Sequence, residues 1–332
     1  MNFSEQRYDH MPYKRVGRSG LRLPAISLGM WHYFGADDPI ENQQALLHTA
    51  YDLGITHFDL ADNYGNGMAE VNVGKLLKSD FEGHRDQLII STKSGHGFWN
   101  GPYGGGPGGG TRKHLIAGID QSLKRLQLDY VDIYYHHTPD NETPLEETVD
   151  ALAQVVHQGK ALYIGISNYY GERSRDIRRQ LKEAKVPCLI NQLPFNILDR
   201  NAETSGEFKS LTDDGIGCIT FSPLAQGLLS NRYLEGIPSD SRAGKKGTCL
   251  QKDAVTEERL SIVRQLDEIA QARGQSLAQM ALCWNLNFQP VASVLIGASR
   301  KEQIKANVEA LNKLNFSETE LQAIETTLQR KS

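Results

Sequence analysis

The chain has 332 residues, enough for two average domains, although one α/β barrel often uses that length. Hydrophobic residues make up 39% and charged residues 23%, which is typical of a globular protein and excludes disordered, collagen-like and membrane classes. The 36 basic and 40 acidic residues are interspersed and give a formal net charge of −4. Because no basic stripe is present to neutralise phosphodiester groups, nucleic acid is not an expected partner.

No stretch approaches the ~18 apolar residues that cross a bilayer, so no membrane span is expected. The polar start, MNFSEQRYDHMPYKR, lacks the apolar centre of a signal peptide, which predicts a cytoplasmic protein. Four cysteines are separated by 30, 31 and 34 residues without a CxxC pair, a spacing that favours reduced thiols over disulfides or a bound metal. They are Cys188, Cys218, Cys249 and Cys283.

The first predicted element is a hairpin in VGRSGLRLPAISLG, where Ser19 and Gly20 lie between two short alternating runs. Nearly continuous apolar runs then predict eight strands, at 26–28, 56–61, 88–94, 131–137, 161–168, 188–195, 217–224 and 291–299. Amphipathic helices alternate with them, which predicts a (β/α)8 TIM barrel. The alternative is a doubly wound open sheet, but its phosphate-binding glycine turn is missing from LGMWHYFG after the first strand.

Three helix starts are predicted from capping patterns. Thr111 opens one helix, and Thr143 opens another, with Pro144 at the first helical position and Glu146 completing a capping box. A final helix begins at Ser317. A long loop with extra helices is expected between Gln226 and Thr256, after the seventh strand, so residues 1–332 are predicted to form one barrel domain with an N-terminal β-hairpin.

The glycine-rich stretch GPYGGGPGGG contains a GxGxxG pattern at Gly104, Gly106 and Gly109. The dinucleotide fingerprint requires these glycines in the turn directly after a strand, where pyrophosphate meets a helix N-terminus. The preceding predicted strand ends at Ser94, ten residues before Gly104. A loop is therefore the favoured interpretation.

Polar residues end most of the predicted strands. In a (β/α)8 barrel the side chains at the carboxyl ends of the strands converge on one mouth, where the chemistry takes place. Each residue alone is as well explained by a turn or a solvated strand end, but together they provide an acid, a base, a hydroxyl and an imidazole. They are Asp59, Lys93, His136 or His137, Ser167, Asn168, Gln192, Ser222 and Ser299, with Tyr64 in the loop DLADNYG after Asp59.

This set of side chains supports reduction of a carbonyl group without a metal. A free tyrosine has a pKa of ~10, and a lysine ammonium beside it lowers that pKa by favouring the phenolate. Asp59 is expected to keep Lys93 charged. Tyr64 then protonates the developing alkoxide while a reduced nicotinamide delivers hydride and the histidine orients the carbonyl.

From Tyr13 to Leu328 the sequence resembles the aldo-keto reductase family, through FDLADNYG, IISTKSG and DIYYHHTPDNETPLEE. The resemblance implies a catalytic tetrad of Asp59, Tyr64, Lys93 and His137. His137 is preferred to His136 because the family places its histidine five residues after the strand aspartate, here Asp132. Adjacent strand residues also face opposite ways, so only one of the two can point into the mouth, and His136 is expected to pack. The motifs GISNY, FSPLAQGLL and GIPSDSR resemble most the branch that contains bacterial L-glyceraldehyde 3-phosphate reductases and potassium-channel β subunits.

That branch binds NADPH in an extended form across the barrel mouth, which explains the missing glycine turn. The resemblance implies that three groups of residues contact the cofactor. The nicotinamide end comprises Trp31, Asp59, Ser167, Asn168, Gln192 and the stacking ring of Phe221. The group that contacts the pyrophosphate comprises Ser222, Pro223, Leu224, Gln226, Gly227, Arg232 and Arg242. The group at the adenosine end comprises Gly297, Ser299, Arg300, Gln303 and Asn307.

Arg300 and the helix start after Ser299 favour NADPH over NADH, since a 2′-phosphate requires cations and helix N-terminal donors. Ala306 stands where relatives commonly carry a glutamate at the adenine. The resemblance implies a small aldehyde substrate, such as L-glyceraldehyde 3-phosphate or methylglyoxal, near Trp31, Tyr64, Trp99 and His137.

The alternative function is a redox-sensing interaction module like the channel β subunits, in which binding of NADPH matters more than turnover. Those subunits carry asparagine where this chain has His137, and this difference favours catalysis. Trp31, Trp99 and Tyr103 either line the substrate pocket or pack the loops against the barrel. A homo-oligomer is left open.

Overall fold

Eight parallel strands close into a barrel in the computed structural model, which describes residues 3–101, 103, 109–239, 241–244 and 250–329. The strands follow one another around the barrel in chain order, and the last pairs with the first. They are β3 (Ile26–Gly29), β4 (His57–Asp59), β5 (Ile89–Ser94), β6 (Val131–His136), β7 (Ala161–Ser167), β8 (Cys188–Pro194), β9 (Gly217–Phe221) and β10 (Val291–Ile296). The predicted (β/α)8 barrel is confirmed.

Two short strands precede the barrel as an antiparallel hairpin, β1 (Tyr13–Arg15) and β2 (Arg22–Pro24), as predicted. Val16 and Leu23 are fully buried and pack with Ile133, Ile190 and Ile219 of three barrel strands. The hairpin therefore closes the amino-terminal end of the barrel and leaves the opposite end for a site.

Helices cover the outside of the barrel. They are α1 (Ile40–Asp52), α2 (Met68–Asp80), α3 (Arg112–Leu126), α4 (Leu145–His157), α5 (Gly171–Glu183), α6 (Asn201–Thr204), α7 (Glu207–Asp214), α8 (Glu257–Ala272), α9 (Leu277–Leu286), α10 (Lys301–Glu309) and α11 (Glu318–Gln329). The expected long insertion after β9 contains short 3-10 turns, followed by α8 and α9 before β10. In the described part of the chain, no helix has both the length and the apolar character that crossing a membrane requires.

Two of the three predicted helix caps are confirmed. The Thr111 hydroxyl accepts a hydrogen bond from the His114 amide at the start of α3. At the start of α11, the Ser317 hydroxyl accepts from the Glu320 amide at 3.2 Å, and the Glu320 carboxylate accepts from the Ser317 amide at 2.7 Å. This reciprocal pair is a capping box.

The predicted capping box at Thr143 is wrong. Helix α4 begins at Leu145, Pro144 is its N-cap residue, and no side chain caps it. The Thr143 hydroxyl instead donates to the Asp140 carboxylate at 2.6 Å, so it is already engaged outside the helix. Glu146 lies in the first turn of α4, where a carboxylate is favourable, without the bond that a capping box requires.

Strand ends were predicted too far along the chain at β4, β9 and β10, which end at Asp59, Phe221 and Ile296. The residues beyond these ends belong to loops at the barrel mouth. Of the glycine pattern, Gly104 and Gly106 lie outside the described residues. Gly109 lies in the loop before Gly110, whose amide donates to Asp140 at the entrance to α3. Cys188, Cys218 and Cys283 are buried free thiols, and Cys249 is also outside the described residues.

Candidate active site

The carboxyl ends of β4 and β5 bring an acid, a base and a phenol together. Asp59 is the last residue of β4, and Lys93 lies near the end of β5. Tyr64 opens a 3-10 turn, Tyr64–Gly67, that follows β4. The amide of Asp62 donates to the Lys93 carbonyl at 3.0 Å, which holds this loop against β5 and returns Tyr64 to the mouth.

Lys93 is the centre of the contacts among these residues. Its Nζ donates to Asp59 Oδ2 at 2.5 Å, to the Leu60 carbonyl at 2.6 Å and to the Tyr64 hydroxyl at 3.1 Å. The side chain of Lys93 is fully buried and that of Asp59 is 2% exposed. A buried ammonium needs such partners, because an unpaired charge in this environment is costly.

Burial and neighbouring charges shift the pKa values of Lys93 and Tyr64 in opposite directions. Burial alone lowers the pKa of Lys93, but Asp59 and Tyr64 outweigh it, so the net shift is upward and Lys93 is charged. Burial also raises the pKa of Tyr64, and Lys93 partly offsets that rise. Lys93 thus acts on the tyrosine in the predicted direction, but the expectation of a net lowered tyrosine pKa is wrong because burial dominates. Tyr64 therefore holds its proton at neutral pH.

The two adjacent histidines after β6 face different surroundings. His136 is fully buried, and its Nδ1 hydrogen-bonds the Tyr169 hydroxyl at 2.7 Å, so it packs as predicted. His137 lies at the mouth, with its ring centroid 6.0 Å from that of Tyr64 in an edge-to-face arrangement. Burial lowers the pKa of His137 well below 6.5, and the positive charge of Lys93 lowers it further. His137 is therefore neutral.

Three polar side chains in β8 and at the end of β7 lie beside this cluster. Gln192 Nε2 donates to Asp59 Oδ1 at 3.1 Å. The Ser167 hydroxyl donates to the Gln192 carbonyl at 3.0 Å. The Asn168 amide donates to Ser167 Oγ at 3.2 Å and to the His137 carbonyl at 3.1 Å. The predicted nicotinamide group is thus contiguous with Asp59 and His137.

The loop after β9 has an unusual backbone. Ser222, Ala225 and Gln226 all have positive φ angles, of 56°, 48° and 59°. Gln226 Nε2 donates to Ser222 Oγ at 2.9 Å, and Arg242 donates to the Gln226 side-chain oxygen. Residues other than glycine adopt this left-handed backbone conformation at a cost in free energy, and such strain is concentrated at functional sites. The remaining predicted members of this group, Pro223, Leu224, Gly227 and Arg232, lie along the same segment, and Phe221 ends β9 half-buried.

The predicted adenosine group gathers where β10 leads into α10. The Ser299 amide donates to the Gln303 side-chain oxygen at 2.8 Å, and Asn307 is buried on α10. Arg300 is the exposed N-cap residue of α10. A Cβ on Gly297 would meet no atom within 4 Å, so the backbone here borders open space.

The two tryptophans predicted to lie near the substrate have different surroundings. Trp31 is 46% exposed, stacks on His32 with ring centroids 4.5 Å apart, and lies 6.4 Å from the Tyr64 ring. Trp99 stacks instead on His114 of α3, 4.6 Å away. Trp31 therefore borders the tyrosine, while Trp99 contacts the helix layer.

The sequence prediction missed His96, an exposed residue whose ring centroid lies 5.4 Å from that of His137. It follows β5 by two residues, so extending the strand-end criterion slightly into the loop identifies it. The prediction also missed buried His57, because its partners lie on strands distant in sequence. A closed parallel barrel with a carboxylate, an ammonium and a phenol in contact at its mouth defines a barrel enzyme.

Comparison with known proteins identifies the family. Residues 25–329 match the aldo/keto reductase family. L-glyceraldehyde 3-phosphate reductase of Escherichia coli strain K12 is 54% identical over 325 residues, which are 96% of this chain and 93% of that protein. A probable voltage-gated potassium channel subunit beta of Oryza sativa subsp. japonica is 37% identical over 305 residues, 91% of this chain and 92% of the relative.

Solved structures agree with this match. A thermostable aldo-keto reductase crystallised with the inhibitor epalrestat superposes with a TM-score of 0.73 at 31% identity, covering 96% of this chain and 100% of that one. The holo form of an aldo-keto reductase from Bacillus halodurans gives a TM-score of 0.77 at 27% identity, covering 96% of each chain. The chain belongs to the aldo-keto reductase family and is an oxidoreductase.

Proposed function

We propose that this protein is an NADPH-dependent reductase of small aldehydes in which Tyr64 is the proton donor. The observation that carries the proposal is the partly buried contact of 3.1 Å between Lys93 Nζ and the Tyr64 hydroxyl. A phenol held beside an ammonium can release its proton to a developing alkoxide, since the positive charge stabilises the phenolate that remains.

Each residue of the cluster has a separate role in this proposal. Asp59 keeps Lys93 charged and fixes its position, and Lys93 stabilises the Tyr64 phenolate as it forms. Neutral His137 donates a hydrogen bond to the carbonyl oxygen and orients the aldehyde toward Tyr64. When bound, the reduced nicotinamide supplies the hydride that converts the carbonyl carbon to an alcohol carbon.

The residues of the mouth fit a nicotinamide dinucleotide. Asn168, Ser167 and Gln192 offer amide and hydroxyl groups beside Asp59 for a carboxamide. Along the loop from Ser222 to Gln226, the Ser222 hydroxyl, the Gln226 amide and Arg242 lie together and offer donors for phosphates. Exposed Arg300, at the start of α10, supports a choice of NADPH over NADH, because the 2′-phosphate adds charge at that end.

The substrate class is supported by a relative. The Escherichia coli protein, 54% identical, is named L-glyceraldehyde 3-phosphate reductase, which makes that phosphorylated aldehyde the first candidate. Methylglyoxal is the second, as a small aldehyde without a phosphate. The family match spans residues 25–329, which supports a single domain across 1–332.

The test is a panel of aldehydes assayed for NADPH and NADH consumption with wild type, Tyr64→Phe and Tyr130→Phe. Tyr130 precedes β6 at the opposite end of the barrel and is the matched control for losing a hydroxyl. The expected result is turnover of small aldehydes with NADPH by wild type and Tyr130→Phe, and a fall of about 100-fold or more in kcat for Tyr64→Phe. Tight NADPH binding without turnover of any aldehyde contradicts the proposal and favours a cofactor-sensing interaction module.

A further inference from the structure

A chain of buried hydrogen bonds crosses four neighbouring strands and ends on the carboxylate that holds Lys93. Ser293 Oγ lies 2.6 Å from Ser27 Oγ, and Ser27 Oγ lies 2.9 Å from His57 Nδ1. His57 Nε2 lies 2.9 Å from Ser91 Oγ, which donates to Asp59 Oδ1 at 2.7 Å. Ser293, Ser27, His57 and Ser91 are 0% exposed and Asp59 is 2% exposed, so water does not compete for these bonds.

The strand geometry explains how the chain forms. The four serine and histidine residues come from β10, β3, β4 and β5, which are consecutive around the barrel. His57 and Asp59 are two residues apart on β4, so their side chains leave the strand on the same face. Ser91 lies opposite Asp59 in the register of β4 and β5.

The charge on Asp59 fixes the direction of every bond. An ionised carboxylate only accepts, so the single proton of the Ser91 hydroxyl points at Asp59. Ser91 must then accept from His57, which places the ring proton on Nε2. Burial lowers the pKa of His57 to about 4, so the ring is neutral and Nδ1 accepts from Ser27. Ser27 in turn accepts from Ser293, and all four donors point toward Asp59.

The two oxygens of Asp59 are thereby assigned different tasks. Oδ1 accepts from Ser91 and from Gln192, while Oδ2 accepts from Lys93 at 2.5 Å. The donors on Oδ1 set both the rotation of the carboxylate and the share of its negative charge that remains for Lys93. That share determines how far Lys93 stabilises a phenolate at Tyr64.

We infer that His57 is a positioning residue for the reduction: through Ser91 it orients Asp59 and tunes the charge that Lys93 presents to Tyr64. This inference rests on the proposed function of Tyr64. The ionisable groups around this centre are those of Asp59, Lys93, Tyr64, Asp62, Tyr135 and His137. His57 contacts neither substrate nor cofactor in this role and acts only through its neighbours.

Two substitutions of His57 separate positioning from packing. In His57→Gln the amide nitrogen reaches about as far as Nε2 and can still donate to Ser91. In His57→Asn the shorter amide reaches only as far as Nδ1 and loses that bond. Ser91→Ala removes the link to Asp59 itself, and Ser174→Ala, a buried serine that donates to Glu207 on the outer helices, is the control for losing a buried hydroxyl.

The readouts are kcat, KM and the pH dependence of kcat with NADPH and an aldehyde. For Ser91→Ala and His57→Asn we expect kcat to fall about tenfold, the scale of one charge-assisted hydrogen bond, with little change in KM. The alkaline limb of the kcat profile moves to higher pH, because Asp59 neutralises Lys93 more fully and the Tyr64 phenolate is less stable. His57→Gln and Ser174→Ala keep the wild-type profile.

Unchanged kcat and an unmoved pH limb in Ser91→Ala and His57→Asn overturn the inference, even if the protein melts at a lower temperature. A profile in which Gln and Asn at position 57 behave alike also overturns it. If Ser91→Ala fails to fold, the pair at His57 still decides.

A measurement that needs no turnover separates this inference from the proposed function. In ¹⁵N-histidine-labelled protein, the His57 signals are identified by their loss in His57→Gln. We expect a neutral ring with its proton on Nε2 at neutral pH. A proton on Nδ1, or a charged ring, contradicts the hydrogen-bond direction whether or not an aldehyde is reduced.

Discussion

Asp62 lies three residues after Asp59, and its carboxyl group is fully buried. Burial raises the pKa of Asp62 to about 7, and the neighbouring Glu70 carboxylate adds to the rise, while Ser94 and Arg125 partly offset it. The folded protein therefore keeps a proton on Asp62 that the unfolded chain releases. Because the folded-state pKa is raised, this group stabilises the fold at low pH, and that contribution is lost as the pH rises from about 4 to 7.

Asp62→Asn is expected to remove this dependence, since asparagine has a similar shape and no charge. The free energy of unfolding of the variant, taken relative to that of wild type, is expected to increase by on the order of 3 kcal/mol as the pH rises from 4 to 8. Urea unfolding at several pH values measures the difference. Asp129→Asn, at an exposed position before β6, is the control. A constant difference between Asp62→Asn and wild type at all pH values contradicts the assignment.

A substitution at Arg300 tests whether this residue favours NADPH over NADH. Its side chain is exposed at the start of α10, so Arg300→Ala should leave the fold intact. If this cation meets a 2′-phosphate, the Kd for NADPH rises about fivefold to tenfold, while the Kd for NADH changes less than about twofold. Fluorescence titration with both cofactors gives the two values. Arg15→Ala, on the hairpin at the other end of the barrel, is the control, and equal losses for both cofactors refute the contact.

Helices α3 and α4 are connected at their amino ends by one carboxylate. Asp140 accepts from the Gly110 amide at 2.8 Å, from the Glu142 amide at 2.9 Å and from the Thr143 hydroxyl at 2.6 Å. Burial alone raises the pKa of Asp140, but these hydrogen bonds outweigh it and the net shift is downward. The stabilisation is therefore present at neutral pH and is lost as the pH falls through the lowered pKa.

Asp140→Asn is expected to lower the free energy of unfolding by about 2 kcal/mol at pH 7, since charge-assisted acceptors are replaced by a weaker amide oxygen. The loss should shrink as the pH falls below about 4 and through the lowered pKa of Asp140, where the wild-type carboxylate also gains a proton. This pH trend is opposite in sign to that of Asp62→Asn. Parallel urea titrations of both variants measure it, and the same trend in both contradicts the assignment of Asp140.

The elements themselves were largely predictable from local sequence. Apolar runs placed all eight barrel strands, and the caps at Thr111 and Ser317 are confirmed because their partners lie within three residues. The capping box at Thr143 failed because Asp140 competes for its hydroxyl. Capping patterns consider only the residues within the box, and Asp140 lies outside it.

For the whole molecule, barrel closure converts strand ends into one site. The alternation of β6 placed His136 among buried side chains and His137 at the mouth, as the sequence predicted. The net upward pKa shift of Tyr64 was not predictable, since burial depends on all the surrounding loops. The hydrogen-bond chain through His57 was also missed, because β10 and β3 are far apart in sequence and meet only when the barrel closes.

The central claim is that Tyr64 donates the proton in aldehyde reduction, and a single-turnover experiment tests it most directly. Enzyme preloaded with NADPH is mixed with L-glyceraldehyde 3-phosphate, and the decay of NADPH fluorescence is followed for wild type, Tyr64→Phe and Tyr130→Phe. The account predicts that all three bind NADPH equally and that only Tyr64→Phe loses about 100-fold or more in the rate of decay. A Tyr64→Phe enzyme that binds NADPH and oxidises it at the wild-type rate contradicts the account.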